Sequence, residues 1–319
     1  MHVLFIIDPL PLLKAYKDSS VAMMRALAHR GHTFSVAMMG GLYIDEGVVK
    51  ARAAGIALRP DADLHGHGWW NETVPAADTD LGAFDAVIMR KDPPFDMEYI
   101  YATHMLEYAE AQGARVFNSG AGIRNHPEKL AITEFSEFTV PTLVTSDMSR
   151  LRAFHARQGD VIVKPLDGMG GTGIFRVRPE EPNLGVILET LTANGSRTIM
   201  AQRYIPEIVD GDKRILIVGG EAVPYALARI PLAGETRGNL AAGGRGVARP
   251  LSDHDKEIAA VVGPRLARRG LLLVGLDIIG QYVTEINVTS PTCFVEITEQ
   301  TGFDVAGFFV SALERAVGI

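Results

Sequence analysis

Short apolar runs alternate with amphipathic stretches over the first third of the chain. Residues 2–7, 33–39, 84–90 and 115–118 are β-prone and apolar, whereas 19–30 and 96–112 carry apolar residues at helical spacing. Strand, helix and strand in regular succession predict βαβ units and a mostly parallel sheet, because a parallel crossover needs a helix to span it. The helix over 19–30 has Asp18 and Ser19 as N-cap candidates and Gly31 just past its end. Between Gly40 and Asp80 the pattern weakens into scattered Gly, Asp and His residues and a Trp69-Trp70 pair, which predicts a small excursion from the sheet. From about Asn125 the texture changes to hairpins and intervening helices. One hairpin spans 214–229 around Gly219-Gly220, and the stretch 274–292 again holds two β runs around a turn at Gly280-Gln281. The reading is α/β with α+β lobes. An N-terminal parallel α/β domain covers 1–124 and a second domain covers 125–319, with a smaller central lobe to about 205 and a C-terminal lobe from about 206.

Composition narrows the function classes. A chain of 319 residues, 47% hydrophobic, can bury a full core. Its formal charge is -7 and it has no long basic run, which argues against a nucleic-acid partner. Apolar runs such as 271–274 fall far short of the roughly 18 residues a membrane span requires, so no membrane partner is expected. Residues 1–7 read as a first strand and not as a signal peptide, and a cytoplasmic location is expected. The single cysteine, Cys293, cannot form an internal disulfide and reads as a small buried hydrophobe. His65 and His67, beside glycines, read as surface loop.

The most informative stretch is 160–177. Gly168, Gly170 and Gly173 match G-x-G-x-x-G, a pattern shared by dinucleotide folds and kinase-like phosphate loops. A dinucleotide fingerprint runs from a strand into a helix. These glycines lead instead into the β-prone Ile174-Phe-Arg-Val177, so the loop reads as a hairpin tip folded over phosphates, with the Lys164 ammonium on the incoming strand. Farther on, strand periodicity puts Glu285 and Asn287 on one face, and the turn at Gly280 brings Asp277 opposite. These three hard oxygen donors suit Mg²⁺, which completes its shell with waters and substrate phosphates. The segment 231–246 has five glycines and few large apolar groups, and it reads as a lid carrying Arg237 and Arg245.

Lysines, a glycine hairpin, a magnesium face and a lid are the parts needed to bind ATP and shield transfer of its terminal phosphoryl group. The G-x-x-x-x-G-K-[ST] loop and the H-R-D and D-F-G signatures are absent, which leaves an ATP-grasp ligase. Here the resemblance becomes specific. Arg90-Lys-Asp-Pro-Pro-Phe-Asp96, Lys164-Pro-Leu-Asp-Gly-Met-Gly-Gly171, the stretch 234–246 and Thr284-Glu-Ile-Asn-Val-Thr-Ser-Pro-Thr292 resemble the bacterial glutathione synthetases, from about Asp8 to beyond Cys293.

That resemblance implies an ATP-grasp fold behind a pre-ATP-grasp domain. It implies ligation of glycine to γ-L-glutamyl-L-cysteine through an acyl phosphate, with ATP as co-substrate and two Mg²⁺ ions, Mn²⁺ being a substitute. It implies Lys129 and Lys164 on the phosphates, with Gly168, Gly170 and Gly171 closing over them. Gln202, Arg203, Tyr204 and Ile205 become the adenine hinge, and Asp212 a ribose or metal-side contact. Asp277, Glu285 and Asn287 become the metal ligands. A dipeptide with two carboxylates calls for guanidinium groups, and Arg214, Arg229, Arg237 and Arg245 are the candidates. Asp18, Ser19 and Arg90 form the far wall, with Ser290 and Thr292 near glycine. A homo-oligomer, as a tetramer, is implied too. A D-alanine ligase-like enzyme or one adding glutamate to a protein tail would use the same nucleotide parts.

Overall fold

In the computed structural model, residues 1–168, 170–232 and 243–319 are described. The expected βαβ rhythm is present. β1 (His2–Ile6), α1 (Ser19–His29) and β2 (Thr33–Ala37) make one unit, and after β3 (Leu42–Asp45), β4 (Val48–Leu58) and β5 (Trp70–Asp80) the chain returns through β6 (Ala86–Met89), α2 (Met97–Ala111) and β7 (Val116–Phe117). β1 pairs in parallel with β2 and β6, and β6 with β7. Val3, Leu4, Phe5 and Ile6 are all buried, as in a strand covered on both faces. Asp18 caps α1 by accepting from the Ser20 and Val21 amides at 2.7 and 3.0 Å.

The stretch 40–80 departs from expectation. It is no small excursion but an antiparallel extension of the same sheet, in the order β3-β4-β2-β1-β6-β7 with β5 on β4. β4 and β5 each run eleven residues. The signal was weak for a physical reason: β5 is an edge strand, exposed along most of its length, so nothing forces apolar residues into it. Trp69 is buried at its start.

The rest is built on two antiparallel sheets. α3 (Gly120–Asn125) leads to β8 (Thr142–Thr145), α4 (Met148–Gln158), β9 (Val161–Pro165), β10 (Phe175–Val177), α5 (Leu184–Thr192) and β11 (Ile199–Arg203). Their strands order β10-β9-β11-β8 over a core that includes Phe154, Val161, Val163 and Leu188. β12 (Asp212–Val218), β13 (Glu221–Ile230), β14 (Arg245–Pro250), α6 (Asp253–Ala267), β15 (Leu273–Ile279) and β16 (Tyr282–Asn287) give the order β14-β13-β12-β15-β16. α7 (Phe294–Thr301) and α8 (Val305–Val317) close the chain, and α8 packs on α1, where Arg30 Nη1 meets Glu314 Oε2 at 2.6 Å. Asn118 ties the first sheet to the third. Its Nδ2 donates to the Leu273 and Val288 carbonyls at 2.7 and 2.8 Å, and its Oδ1 accepts from the Leu273 amide.

Candidate active site

The 4-stranded and 5-stranded sheets face each other across a cleft, and the glycine hairpin closes one end of it. β9 and β10 pair antiparallel, so Gly168, Gly170 and Gly173 do sit in a hairpin turn and not at a helix start. Gly170, Gly171 and Gly173 have φ of 62, 82 and 72°, where a side chain would be strained. The cleft gathers Lys129, Lys164, Gly168, Gly170, Gly171, Gln202 to Ile205, Asp212 and Glu285, which are scattered over more than 150 residues of sequence.

Lys164 and Lys129 are both buried. Lys164 Nζ donates to the Thr284 carbonyl at 3.2 Å. Burial lowers its pKa to about 8, with the positive Lys129 adding to the effect and Glu285 opposing it. Lys129 Nζ donates to Glu285 Oε1 at 2.8 Å and to the Gly168 carbonyl, so it spans from β16 to the glycine turn. Ile162, Ile174, Ile208 and Ile279 supply the apolar walls, and Tyr204 is stacked under the Arg176 guanidinium, 3.6 Å from the ring centroid. Arg176 is itself held by Asp160 at 2.6 Å. Apolar walls beside the 202–205 segment suit a planar base, and buried lysines suit phosphates.

A compact ionic cluster lies beside the lysines. Asp277 pairs with Glu285 in the ladder, and Asn287 lies opposite Gly275, so the predicted face exists. Both Asp277 oxygens are engaged: Arg214 takes Oδ1 and, at 3.0 Å, Oδ2, while Arg229 reaches Oδ2 at 2.8 Å. Arg229 also holds Asp212 Oδ2. Burial alone would raise the Asp277 pKa, but the two guanidinium groups outweigh it and hold the carboxyl well below the usual range. Asp212 behaves oppositely: burial pushes it up to about 6, although Arg229 pulls it down. Leaving either guanidinium or carboxylate buried without its partner would cost several kcal/mol, which keeps the cluster together.

Among the described residues, no three His, Cys, Asp or Glu side chains gather as a metal cage. The donor set fits a cation that shares its shell with phosphate. Asp212 Oδ1 is buried with no hydrogen-bond partner among the described residues, and Asn287 Nδ2 is taken by the Gly275 carbonyl at 3.1 Å, which leaves Oδ1 as its remaining polar atom.

The expected far wall is partly assembled. Buried Arg90 donates through Nε to Ser20 Oγ at 3.0 Å, and its Nη1 is buried with no hydrogen-bond partner among the described residues. Ser19 Oγ accepts from the Phe294 amide at 3.4 Å, which links α1 to α7. Ser290 Oγ donates to Asp92 Oδ1. Thr292 is exposed, its hydroxyl 3.8 Å from Cys293 Sγ. Arg245 begins β14, exposed, opposite Ile230, while Arg237 and most of the expected lid lie outside the described residues. Cys293 is fully buried, as expected of a small hydrophobe, and burial raises its thiol pKa.

Some residues of the site escaped the sequence reading. Thr284, Asp92 and Arg176 stood inside stretches singled out for other members, Ile162, Ile174 and Ile279 read as ordinary strand residues, and Ile208 carried no reading. Glu128 gave no signal of its own.

Comparison with known proteins agrees with this geometry. Residues 1–124 match the family model of the prokaryotic glutathione synthetase N-terminal domain, and residues 128–302 match that of its ATP-grasp domain. A protein of Bordetella parapertussis named glutathione synthetase is 76% identical over the full length of both chains. One from Ralstonia nicotianae is 60% identical over all of this chain and 97% of the relative. Among solved structures, the D-cycloserine synthetase DcsG superposes with a TM-score of 0.68 at 17% identity, covering 99% of this chain and all of that one, a likeness of fold alone. The two family models, which together cover nearly the whole sequence, and the full-length relatives make this chain an ATP-dependent ligase with the ATP-grasp fold and a member of the prokaryotic glutathione synthetase family.

Proposed function

We propose that the cleft binds ATP with two Mg²⁺ ions, for which Mn²⁺ can substitute, and that the enzyme joins glycine to γ-L-glutamyl-L-cysteine to give glutathione, ADP and phosphate. A carboxylate resists amine attack because an oxide would have to leave. Its oxygen therefore first attacks the γ-phosphorus of ATP, and ADP departs. The glycine nitrogen then attacks the acyl carbon, and phosphate leaves with the former carboxylate oxygen while the amine gives up its proton. No enzyme nucleophile is needed, in keeping with an inert Cys293.

The observation that carries this reading is the meeting of two buried lysines, the glycine turn, the 202–205 hinge and Glu285 around one cleft. Lys129 and Lys164 hold the phosphates, the backbone of 168–171 covers them, and the isoleucine-lined slot takes adenine. Asp212, Asp277, Glu285 and Asn287 would hold the metal, which when bound offsets charge building on the phosphates. Arg214 and Arg229 present desolvated guanidinium groups to anionic substrate, joined by Arg237 and Arg245, with Asp18, Ser19, Arg90, Ser290 and Thr292 around the dipeptide and glycine. The two domains divide near residue 124, the chain works in the cytoplasm as a homo-oligomer, and no nucleic acid or membrane takes part. Purified protein incubated with ATP, Mg²⁺, γ-glutamylcysteine and glycine should yield glutathione by mass, with phosphate release dependent on the dipeptide. Equal turnover on D-alanine alone would overturn the assignment.

A further inference from the structure

We propose that Glu128 is a positioning residue that fixes the nucleotide lysine and the metal-side strand in one register. The inference rests on the nucleotide reading of the cleft. Glu128 precedes Lys129 and lies against the end of β16. Its backbone carbonyl accepts from the Ile286 amide at 2.9 Å. Its Oε1 accepts from the Val288 amide at 3.0 Å, the Thr289 amide at 3.2 Å and the Thr289 hydroxyl at 2.8 Å. One residue thus grips the backbone on both sides of Asn287. The next residue, Lys129, reaches back to Glu285 at 2.8 Å and on to the Gly168 carbonyl.

The consequence is geometric. Lys129, Glu285 and Asn287 come from segments more than 150 residues apart and must converge on one small group, where a misplacement of about 1 Å is costly. Glu128 shares its backbone with the first and clamps the strand carrying the other two. A carboxylate accepting two amides and a hydroxyl holds that strand more firmly than a neutral acceptor would. The arrangement is also electrostatically unfavourable by itself, since Glu128 is half-buried beside the like-charged Glu285. An apolar residue or an alanine would fill the place at no such cost if packing alone were required.

ATP binding by calorimetry, with Mg²⁺ and with a chelator, tests this on the full-length enzyme. Glu128→Ala should weaken ATP binding in Mg²⁺ by about tenfold or more, the scale of one lost charge-assisted contact. The loss should be smaller with the chelator, because only the lysine is then misaligned. Glu128→Gln, which keeps an acceptor at the same reach, should recover most of the affinity. In steady state, KM for ATP should rise more than KM for the dipeptide. Should Glu128→Ala not fold, Thr289→Val removes one clamp donor at constant shape and should give a smaller shift of the same kind. The inference fails if the variants bind ATP like the wild type, or if Ala and Gln lose affinity equally and only in proportion to a lowered thermal midpoint. Wild-type protein that binds no ATP would instead sink the nucleotide reading beneath it.

Discussion

At the scale of single residues, the cleft works because charge is buried in opposed pairs. Glu285 is the pivot: its Oε1 meets Lys129 and its charge opposes the loss of the Lys164 proton. Glu285→Ala should cut turnover by about 10²-fold or more, the usual loss for one preorganised electrostatic contact, and should also lower the thermal midpoint, because buried Lys129 loses its carboxylate partner. Near-normal ADP release at ordinary Mg²⁺ would exclude the role. Lys164 predicts a pH dependence of definite sign. Its pKa falls from the ordinary 10.5 to about 8 on folding, so the unfolded chain binds the proton more tightly. The ligand-free protein therefore gains stability as pH rises from about 8 toward 10.5. ATP affinity should move the other way, because the phosphates need the ammonium. Titrations between about pH 7.5 and 9 should show binding weaken, and Lys164→Arg, charged throughout, should flatten the curve.

At the scale of elements, the β15–β16 hairpin matters most. Asp277 faces Glu285 and Gly275 faces Asn287 across it, and Gly275 leaves room for Arg214 to lie over the strand. A methyl at Gly275 would stand 2.9 Å from Arg214 Cδ and 3.2 Å from Pro291 Cβ. Gly275→Ala should therefore displace Arg214 from Asp277 and reduce dipeptide turnover by about tenfold or more, with a destabilisation of roughly 1–3 kcal/mol from overpacking. Unchanged kinetics would show that the guanidinium position is unimportant. The meeting of Asp277 with Glu285 was legible beforehand from the glycine turn and the two-residue spacing, but the irregularity between Asp277 and Ile278 was not, because β15 is buried on both faces and carries no alternation to mark it. The strands β4 and β5 were not legible: β5 is an exposed edge strand with no apolar alternation to betray it, and β4, inside the sheet, buries mainly small residues such as Ala51 and Ala53 on its inner face.

At the scale of the whole molecule, the first and third sheets are joined by few polar contacts, among which Asn118 stands out. It is buried and satisfies the Leu273 amide and carbonyl together with the Val288 carbonyl. Asn118→Ala would leave these buried backbone groups unpaired and should cost roughly 2–4 kcal/mol in denaturant unfolding. Its neighbourhood also bears on function, since Val288 and Thr289 are the residues Glu128 clamps. A variant with unaltered unfolding would mean that apolar packing alone holds the sheets together.

The sequence by itself determined the local chemistry. Period-2 and period-3.6 patterns specified most strands, helices and hairpin turns, β4 and β5 excepted, and the glycine-lysine and Glu285–Asn287 spacings marked residue types suited to phosphate and metal, because these depend on a few consecutive residues. The motifs that resemble the family carried the ATP-grasp assignment as well. Tertiary structure alone decided how the charges pair. That Arg214 and Arg229 share Asp277 while Arg229 also holds Asp212, that Lys129 bridges Glu285 and Gly168, and that Glu128 clamps the end of β16 are contacts across 17 to 161 residues of chain. No local pattern encodes them. They arise because a buried charge must find a partner, and only the packing of one sheet against another determines which partner is within reach.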